Sequence, residues 1–246
     1  PGSARFYEAS FQQDARFDSA TFSGSAGFYS AAFSGGARFD GARFNSVSFK
    51  SATFSAVARF ASATFSGYAR FTDATVSAIA FFDGAKFSGN AAFDSAKLGL
   101  LTSFNGVIFN QDARFVSAAF RGDVWFDNAK FSGSASLHDA TFSGYAGFAQ
   151  ARFDGYTSFA AATFDRLANF SATQGERAFT LEGARFNEVP DFIQAHFAEA
   201  PRLDNVSIPE VGGIARFFLP MLRDVDPNPD LSSRYRALKR LAVEAH

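Results

Sequence analysis

Phenylalanine recurs along this chain at spacings that alternate between five and six residues. Phe6, Phe11, Phe17, Phe22, Phe28, Phe33, Phe39 and Phe44 set the beat. Ala9, Ala15, Ala20, Ala26, Ala31, Ala37 and Ala42 each stand two residues before an anchor. The unit is A-x-F-x-x with one added residue after every second copy, an 11-residue period. A short fixed period decides architecture before local propensity does, because each unit can bury its apolar face only against its neighbours. One residue is missing between Phe44 and Phe49, after which the beat runs on to Phe170. Val76, Leu98 and Leu137 replace Phe on the beat, so the constraint is apolar volume facing inward. The next position is Gly175, in SATQGERA (171–178), read either as a neutral defect or as a small protruding loop that contacts a partner. The beat returns at Leu181, Phe186, Phe192, Phe197, Leu203 and Ile208.

An 11-residue period also fits a right-handed helical coiled coil. On such a helix the two Phe positions would occupy separate faces, and 20 glycines among many Ser and Thr oppose it. In an extended chain, Ala at i−2 and Phe at i lie on one side, because side chains alternate. The residue between them faces out. The next pair, often Ser-Gly, Asp-Gly or Asn-Ser, turns the corner, where Gly supplies unusual backbone angles. Successive coils then stack as strands about 4.8 Å apart.

The runs ARFDGARF, ATFSG and AKFSG resemble the pentapeptide-repeat family, whose pattern centres on Phe or Leu with Ala two residues before it. The resemblance covers residues 4–208. It implies an all-β, right-handed quadrilateral parallel β-solenoid with four pentapeptides per coil. The regular sixth residue extends each coil to about 22 residues with two enlarged corners, and nine or so coils make a rod of about 45 Å. The domain reading is a solenoid over 4–208, a cap and linker over 209–230, and a short amphipathic α-helix over 231–246.

The cap reading rests on Phe217, Phe218, Leu219, Met221 and Leu222, placed to cover the last coil. DVDPNPD follows as a linker, and Ser232 or Ser233 caps the helix. Tyr235, Leu238 and Leu241 form its apolar stripe, a candidate dimer or partner surface. RYRALKRLAVEAH resembles the segment after the solenoid in larger family members, where the chain continues toward membrane segments. The helix is expected to run on past His246, and Pro1-Gly2-Ser3 reads as a cloning remnant.

Composition excludes several function classes. The 246 residues contain no cysteine, which removes disulfides and thiolate metal sites and fits a cytoplasmic protein, at the inner face of a membrane if the chain continues toward one. With 23 basic and 24 acidic residues, the net charge of −1 gives no footprint for direct nucleic-acid binding. His138, His196 and His246 are far apart, and no metal or cofactor site is expected. Asp224, Asp226, Asn228 and Asp230 imitate the start of a calcium loop, but Pro229 replaces its glycine and Tyr235 its final Glu. No nucleophile elbow, P-loop or partnered Ser/His/Asp pattern occurs, so no catalytic residue is assigned.

The outward positions carry the candidate surface. Asp18, Asp40, Asp83 and Asp127 each follow the third anchor of a coil and should form an acidic ladder, with Asn105 between. Arg43, Lys86, Lys130 and Arg152 precede the fourth anchor and should form a basic row; Arg16, Arg38 and Arg59 make a shorter one. Such charges either keep a β surface soluble and blunt its edges or form a stripe for a protein partner. Thr53, Thr75, Thr141 and Thr163 share a row, as an ice-binding face would need, but Lys97 and Ala119 interrupt it. The expectation is a non-enzymatic scaffold, a rigid rod presenting charged faces to a protein. The alternative implied by the resemblance is a dimeric, DNA-mimicking binder of gyrase, which the near-neutral charge opposes.

Overall fold

A computed structural model describes residues 2–209. The expected cap residues Phe217, Phe218, Leu219, Met221 and Leu222, the linker and the helix 231–246 lie outside the described residues.

The described chain winds into a four-faced parallel β-solenoid. Strands are short, most of them two residues long, because Ala-x-Phe leaves only two or three residues extended before the next corner. Each pairs in parallel with its equivalents one coil below and one coil above, as in Thr75↔Thr53 and Thr75↔Lys97. The second face, carrying Phe11, Phe33 and Phe54, is a nine-stranded sheet, and the third, carrying Phe17, Phe39 and Phe60, an eight-stranded one. The first face (Phe6, Phe28, Phe49) and the fourth (Phe22, Phe44, Phe65) share a sixteen-stranded sheet. They are joined where strands Thr21–Gly27 and Arg43–Ser48 run around the corner without interruption. That is where the missing residue falls. Phe22 pairs with Phe44, but Ser25 pairs with Ser46, so a register shift in the lower strand absorbs the deletion.

Inside, the anchors stack into ladders. Along the third face, Phe82, Phe104 and Phe126 lie with ring centroids 4.7 Å apart and nearly parallel. Rings of the first face enter between them edge-on, as with Phe93 against Phe104 at 5.4 Å and 88°. Both arrangements suit the aromatic quadrupole. Each Phe buried in this way contributes roughly 2–3 kcal/mol. The alanines two residues earlier are also fully buried, and their small size leaves room for the rings. Thr102 takes an alanine place before Phe104; its buried hydroxyl has no hydrogen-bond partner among the described residues, at a cost of about 1–3 kcal/mol.

The two kinds of corner differ, and glycine supplies the left-handed angle as expected at Gly41, Gly84, Gly106 and Gly183 but not at most corners. Corners after the first and third anchors are tight turns, with the amide of Ala96 donating to the carbonyl of Phe93 at 3.1 Å. The second residue after each of these anchors has positive φ, and most of these residues are Ser, Asp, Asn or Gln rather than Gly. Their short polar side chains tolerate the left-handed region. The wider corners after the second and fourth anchors hold Gly24, Gly35, Gly67, Gly89 and Gly122 at ordinary φ. Gly is used there for close approach: a Cβ at Gly89 would sit 2.5 Å from the Gly67 carbonyl oxygen one coil below.

Gly175 is neither a loop nor a break. It pairs in register with Phe153 and Phe197 on the fourth face and is buried. The missing ring is supplied from a neighbouring position. Phe179 stands where alanine is usual, two residues before Leu181, and its ring packs 5.8 Å from Phe153, 5.5 Å from Phe159 and 4.8 Å from Phe197. The anchor and alanine sizes have been exchanged, so the layer keeps its volume.

Two measurements check this packing. Phe115→Asp should abolish cooperative thermal unfolding of the parent type, whereas Arg114→Ser, on the outward side next to it, should leave the melting curve almost unchanged; equal losses would refute the inside/outside register. Phe179→Ala should cost about 3–5 kcal/mol in denaturant titration, as at an ordinary anchor and unlike an ordinary alanine site, because it removes the ring that compensates Gly175.

Candidate interaction surface

The aspartates of the third face align as expected, but Ala61 interrupts the series between Asp40 and Asp83. Most of these carboxylates are engaged between coils. Asp40 accepts from the Ala61 amide at 3.0 Å and pairs with Arg59 at 2.6 Å. Asp18 pairs with Arg38 at 3.3 Å, Asp83 accepts from the Ser103 hydroxyl, and Asp127 accepts from the Ala149 amide at 2.8 Å. Asp14, Asp94, Asp112 and Asp123 likewise accept an amide 22 residues ahead. The reason is local. Corner amides point away from the strand ladder and need an acceptor, and a short carboxylate one coil below supplies it. Arg16, Arg38 and Arg59 stack in register beside the lower aspartates, so this strip alternates in charge rather than being acidic.

The basic row also holds its register but is diluted. Arg43 and Lys86 flank Thr64, Lys86 and Lys130 flank Ile108, and only Lys130 and Arg152 adjoin. The upper pair is neutralised: Asp154 lies 2.6 Å from Arg152 and 3.5 Å from Lys130, and Glu176 lies 3.1 Å from Arg152. The hydrogen bond and charge of Asp154 raise the Arg152 pKa, so this guanidinium stays charged. Arg43 and Lys86 have no ion-pair partner among the described residues. They are the part of the row that can meet an external anion. Tyr235, Leu238 and Leu241 lie outside the described residues.

His138 faces outward beside Leu137, with Nδ1 3.1 Å from the Ala160 carbonyl oxygen and Nε2 2.9 Å from Asp139. His196 is in register with Gln174 on the fourth face. Among the described residues no group of three potential metal ligands occurs.

The charge pattern did not reveal two aromatic features. On the third face, Trp125 and Tyr145 lie 6.1 Å apart beside Gly147, and Asn169 donates to the Tyr145 hydroxyl at 2.9 Å. Burial here raises the Tyr145 pKa, and burial likewise raises that of Asp127, opposed by its bond from Ala149. On the first face, Tyr7, Tyr29, Tyr68 and Arg70 surround a cleft of about 510 Å³ floored by Gly27 and Ser48. The Tyr7 ring rests on Gly27, where a Cβ would overlap it. The Arg70 guanidinium sits 5.0 Å from the centre of the Tyr68 ring. The cleft lies over the corner that lacks one residue. The available sequence signal was the coincidence of that deletion with three of the six tyrosines.

Asp127 gives a pH test. Its folded pKa is above the unfolded value, so the native state holds the proton more tightly. Its contribution is therefore favourable below the usual carboxylate range and is lost as pH rises through the folded pKa. Asp127→Asn retains an acceptor for Ala149 without the charge. It should raise Tm relative to the parent at about pH 7 and lose that advantage near pH 3, below the unfolded pKa; an advantage that grows on acidification would refute the assignment.

The repeat pattern has a counterpart among known protein families. A family model described as Pentapeptide repeats matches residues 6–53 and 126–174, in nine copies. Among solved structures the chain is similar to HetL, a pentapeptide repeat protein involved in heterocyst differentiation regulation from the cyanobacterium Nostoc sp. strain PCC 7120. That match has 15% identity over 83% of this chain and 86% of the other, with a TM-score of 0.27. A second match is QnrB1, a plasmid-mediated fluoroquinolone resistance protein, with 14% identity over 79% of this chain and 90% of the other and a TM-score of 0.20. No curated protein matches the chain. With Phe-centred units that the family model matches over residues 6–53 and 126–174, wound into a four-faced parallel solenoid, the chain carries pentapeptide repeats.

Proposed function

We propose that this protein is a non-enzymatic scaffold, a rigid rod whose outer faces bind another protein. The observation that supports this best is the filled interior. Phe rows interlock along the axis, with stacked and edge-on rings 4.7–5.6 Å apart from Phe82 to Phe126. Recognition therefore falls to side chains on the outside, held in place by the parallel ladder. Of the charged rows, the lower part of the fourth face, with Arg43 and Lys86, is the stretch left available for an acidic partner surface. The alternation of Arg38 and Arg59 with Asp18 and Asp40 counts against DNA mimicry, which needs dense negative charge.

The proposal places the rod in the cytoplasm, and at the inner face of a membrane if the chain continues toward one; its cysteine-free composition fits that compartment. Among the described residues no helix is long and apolar enough to cross a membrane. Pairing of two rods through Tyr235, Leu238 and Leu241 belongs to the same proposal.

The test is affinity capture with the purified protein beside the double variant Arg43→Glu, Lys86→Glu. Both should melt alike, since neither side chain is buried or, among the described residues, ion-paired. The parent should retain an acidic protein that the variant loses, and supercoiling by purified gyrase should be unaffected by either. Identical capture profiles would remove the charged-face reading, and inhibition of gyrase by the parent would favour the alternative.

A further inference from the structure

The third face carries an apolar stripe that its charged rows do not explain. Val57, Ile79, Leu101, Tyr145 and Leu167 hold one outward position, three residues before the anchors Phe60, Phe82, Phe104, Phe148 and Phe170. All are at least partly exposed, and only Asp123 interrupts them. Leu100, one residue before Leu101, is 73% exposed, the most of any large apolar side chain among the described residues. The face is also more extended here, with three-residue strands at Ile79–Phe81, Leu101–Ser103 and Asp123–Trp125. In the row just before the anchors, large and small residues alternate in register: Phe81, Ser103, Trp125, Gly147. Gly147 lets the Trp125 and Tyr145 rings lie close against the face, since a Cβ there would stand 3.1 Å from the first and 2.9 Å from the second. A contiguous exposed apolar patch of this kind marks an interaction surface.

We infer that this face pairs with the same face of a second copy, the two rods running antiparallel about a two-fold axis that lies along the strands, midway between the coils of Phe104 and Phe126. The inference goes beyond the acidic partner proposed for the fourth face and uses a different surface. Reversal about such an axis keeps each outward row opposite itself. Large residues then meet small ones: Trp125 faces Ser103, Phe81 faces Gly147 and its flanking rings, and Leu100 faces Gly122. In the stripe, Ile79 faces Tyr145 and Val57 faces Leu167. Leu101 faces Asp123, whose carboxylate already accepts from the Tyr145 amide at 2.8 Å. The charges fit as well. Asp127 faces Asn105, and Arg38, which pairs with Asp18 in its own rod at 3.3 Å, faces Asp191 at each end of the interface. No carboxylate faces another. Moving the axis onto the coil of Phe126 would instead set Asp123 on Asp123 and Asp127 on Asp127, with repulsion at the centre. From Arg38 to Asp191 the face spans about 34 Å along the axis and about 17 Å across, or roughly 1,100 Å² for two rods. That is just above the area of about 1,000 Å² that a specific interface needs.

Analytical ultracentrifugation of the whole protein tests this, on the parent and on Leu238→Glu, which removes pairing through the C-terminal stripe. Both should form a dimer. Leu100→Glu should weaken it about tenfold in either background, because it sets a charge against Gly122 beside Asp123 of the second copy. Arg38→Asp should weaken it to a similar degree, and adding Asp191→Arg should restore it, since the exchanged charges meet again across the axis. Tyr156→Glu, at an exposed tyrosine on the first face, should leave association unchanged, and circular dichroism should show every variant folded. A monomeric parent overturns the inference, and would mean that residues 210–246 of the same chain cover the face or that it stays bare. A dimer that Leu238→Glu dissolves and Leu100→Glu does not also overturns it, as does a failure of Asp191→Arg to restore the Arg38→Asp variant. Any of these results, obtained while Arg43 and Lys86 still govern capture of an acidic protein, would remove the face-to-face pairing and leave the scaffold reading intact.

Discussion

The structure depends on one coincidence of lengths. Parallel β-strands repeat at about 4.8 Å, and stacked phenyl rings in the core repeat at 4.7–5.1 Å along the third face. The backbone ladder and the aromatic ladder therefore share one rise, and a ring can sit on the ring below without stretching a hydrogen bond. Any residue type that stacks at another spacing would set the two ladders against each other. Val76, Leu98 and Leu137 are tolerated because a branched aliphatic side chain fills the volume without imposing a spacing. Alanine usually precedes phenylalanine because the ring takes most of the inner edge, although Val47, Val107 and Val124 also fit before Phe49, Phe109 and Phe126. Gly175 with Phe179 shows that the layer, rather than the position, is what is conserved in volume.

The corners impose the second constraint. They carry amides that no strand accepts, and the aspartates one coil below take them up. Much of the acidic surface is thus committed to holding coils together. The remaining charge pairs are exposed and each is worth little, about 0–1 kcal/mol. Their regular spacing is a consequence of the fold's period. It becomes informative about partners only where it fails to neutralise, as at Arg43 and Lys86.

Regularity by itself makes a smooth rod. The one-residue deletion between Phe44 and Phe49 breaks that smoothness, because the strand below must shift register while the core rings of Phe22 and Phe44 stay stacked at 5.0 Å. The outer surface then carries the irregularity. Gly27 and Ser48 leave a depression there, and Tyr7, Tyr29 and Tyr68 stand around it together with Ser25 and Ser46.

Most of the fold was legible in the sequence. The five- and six-residue spacing dictated which side chains face inward, how many faces a coil has and which outward residues share a row, because strand alternation is a rule of backbone geometry. Thr53, Thr75, Lys97 and Ala119 stand in one row as the counting required. The sequence was less informative wherever an outcome depended on contacts between coils. It could not show that Ser, Asp and Asn take most of the left-handed turns, with Gly41, Gly84, Gly106 and Gly183 at others, while further glycines serve close approach, since both choices look alike as corner residues. Nor could it show that Asp40 and Asp127 are occupied by amides, or that Phe179 fills the space above Phe153. Sequence alone determined the period and therefore the architecture. The tertiary structure decided which surface groups remain free and where a cleft opens, because those depend on how side chains some 22 residues apart meet across a coil spacing of about 4.8 Å.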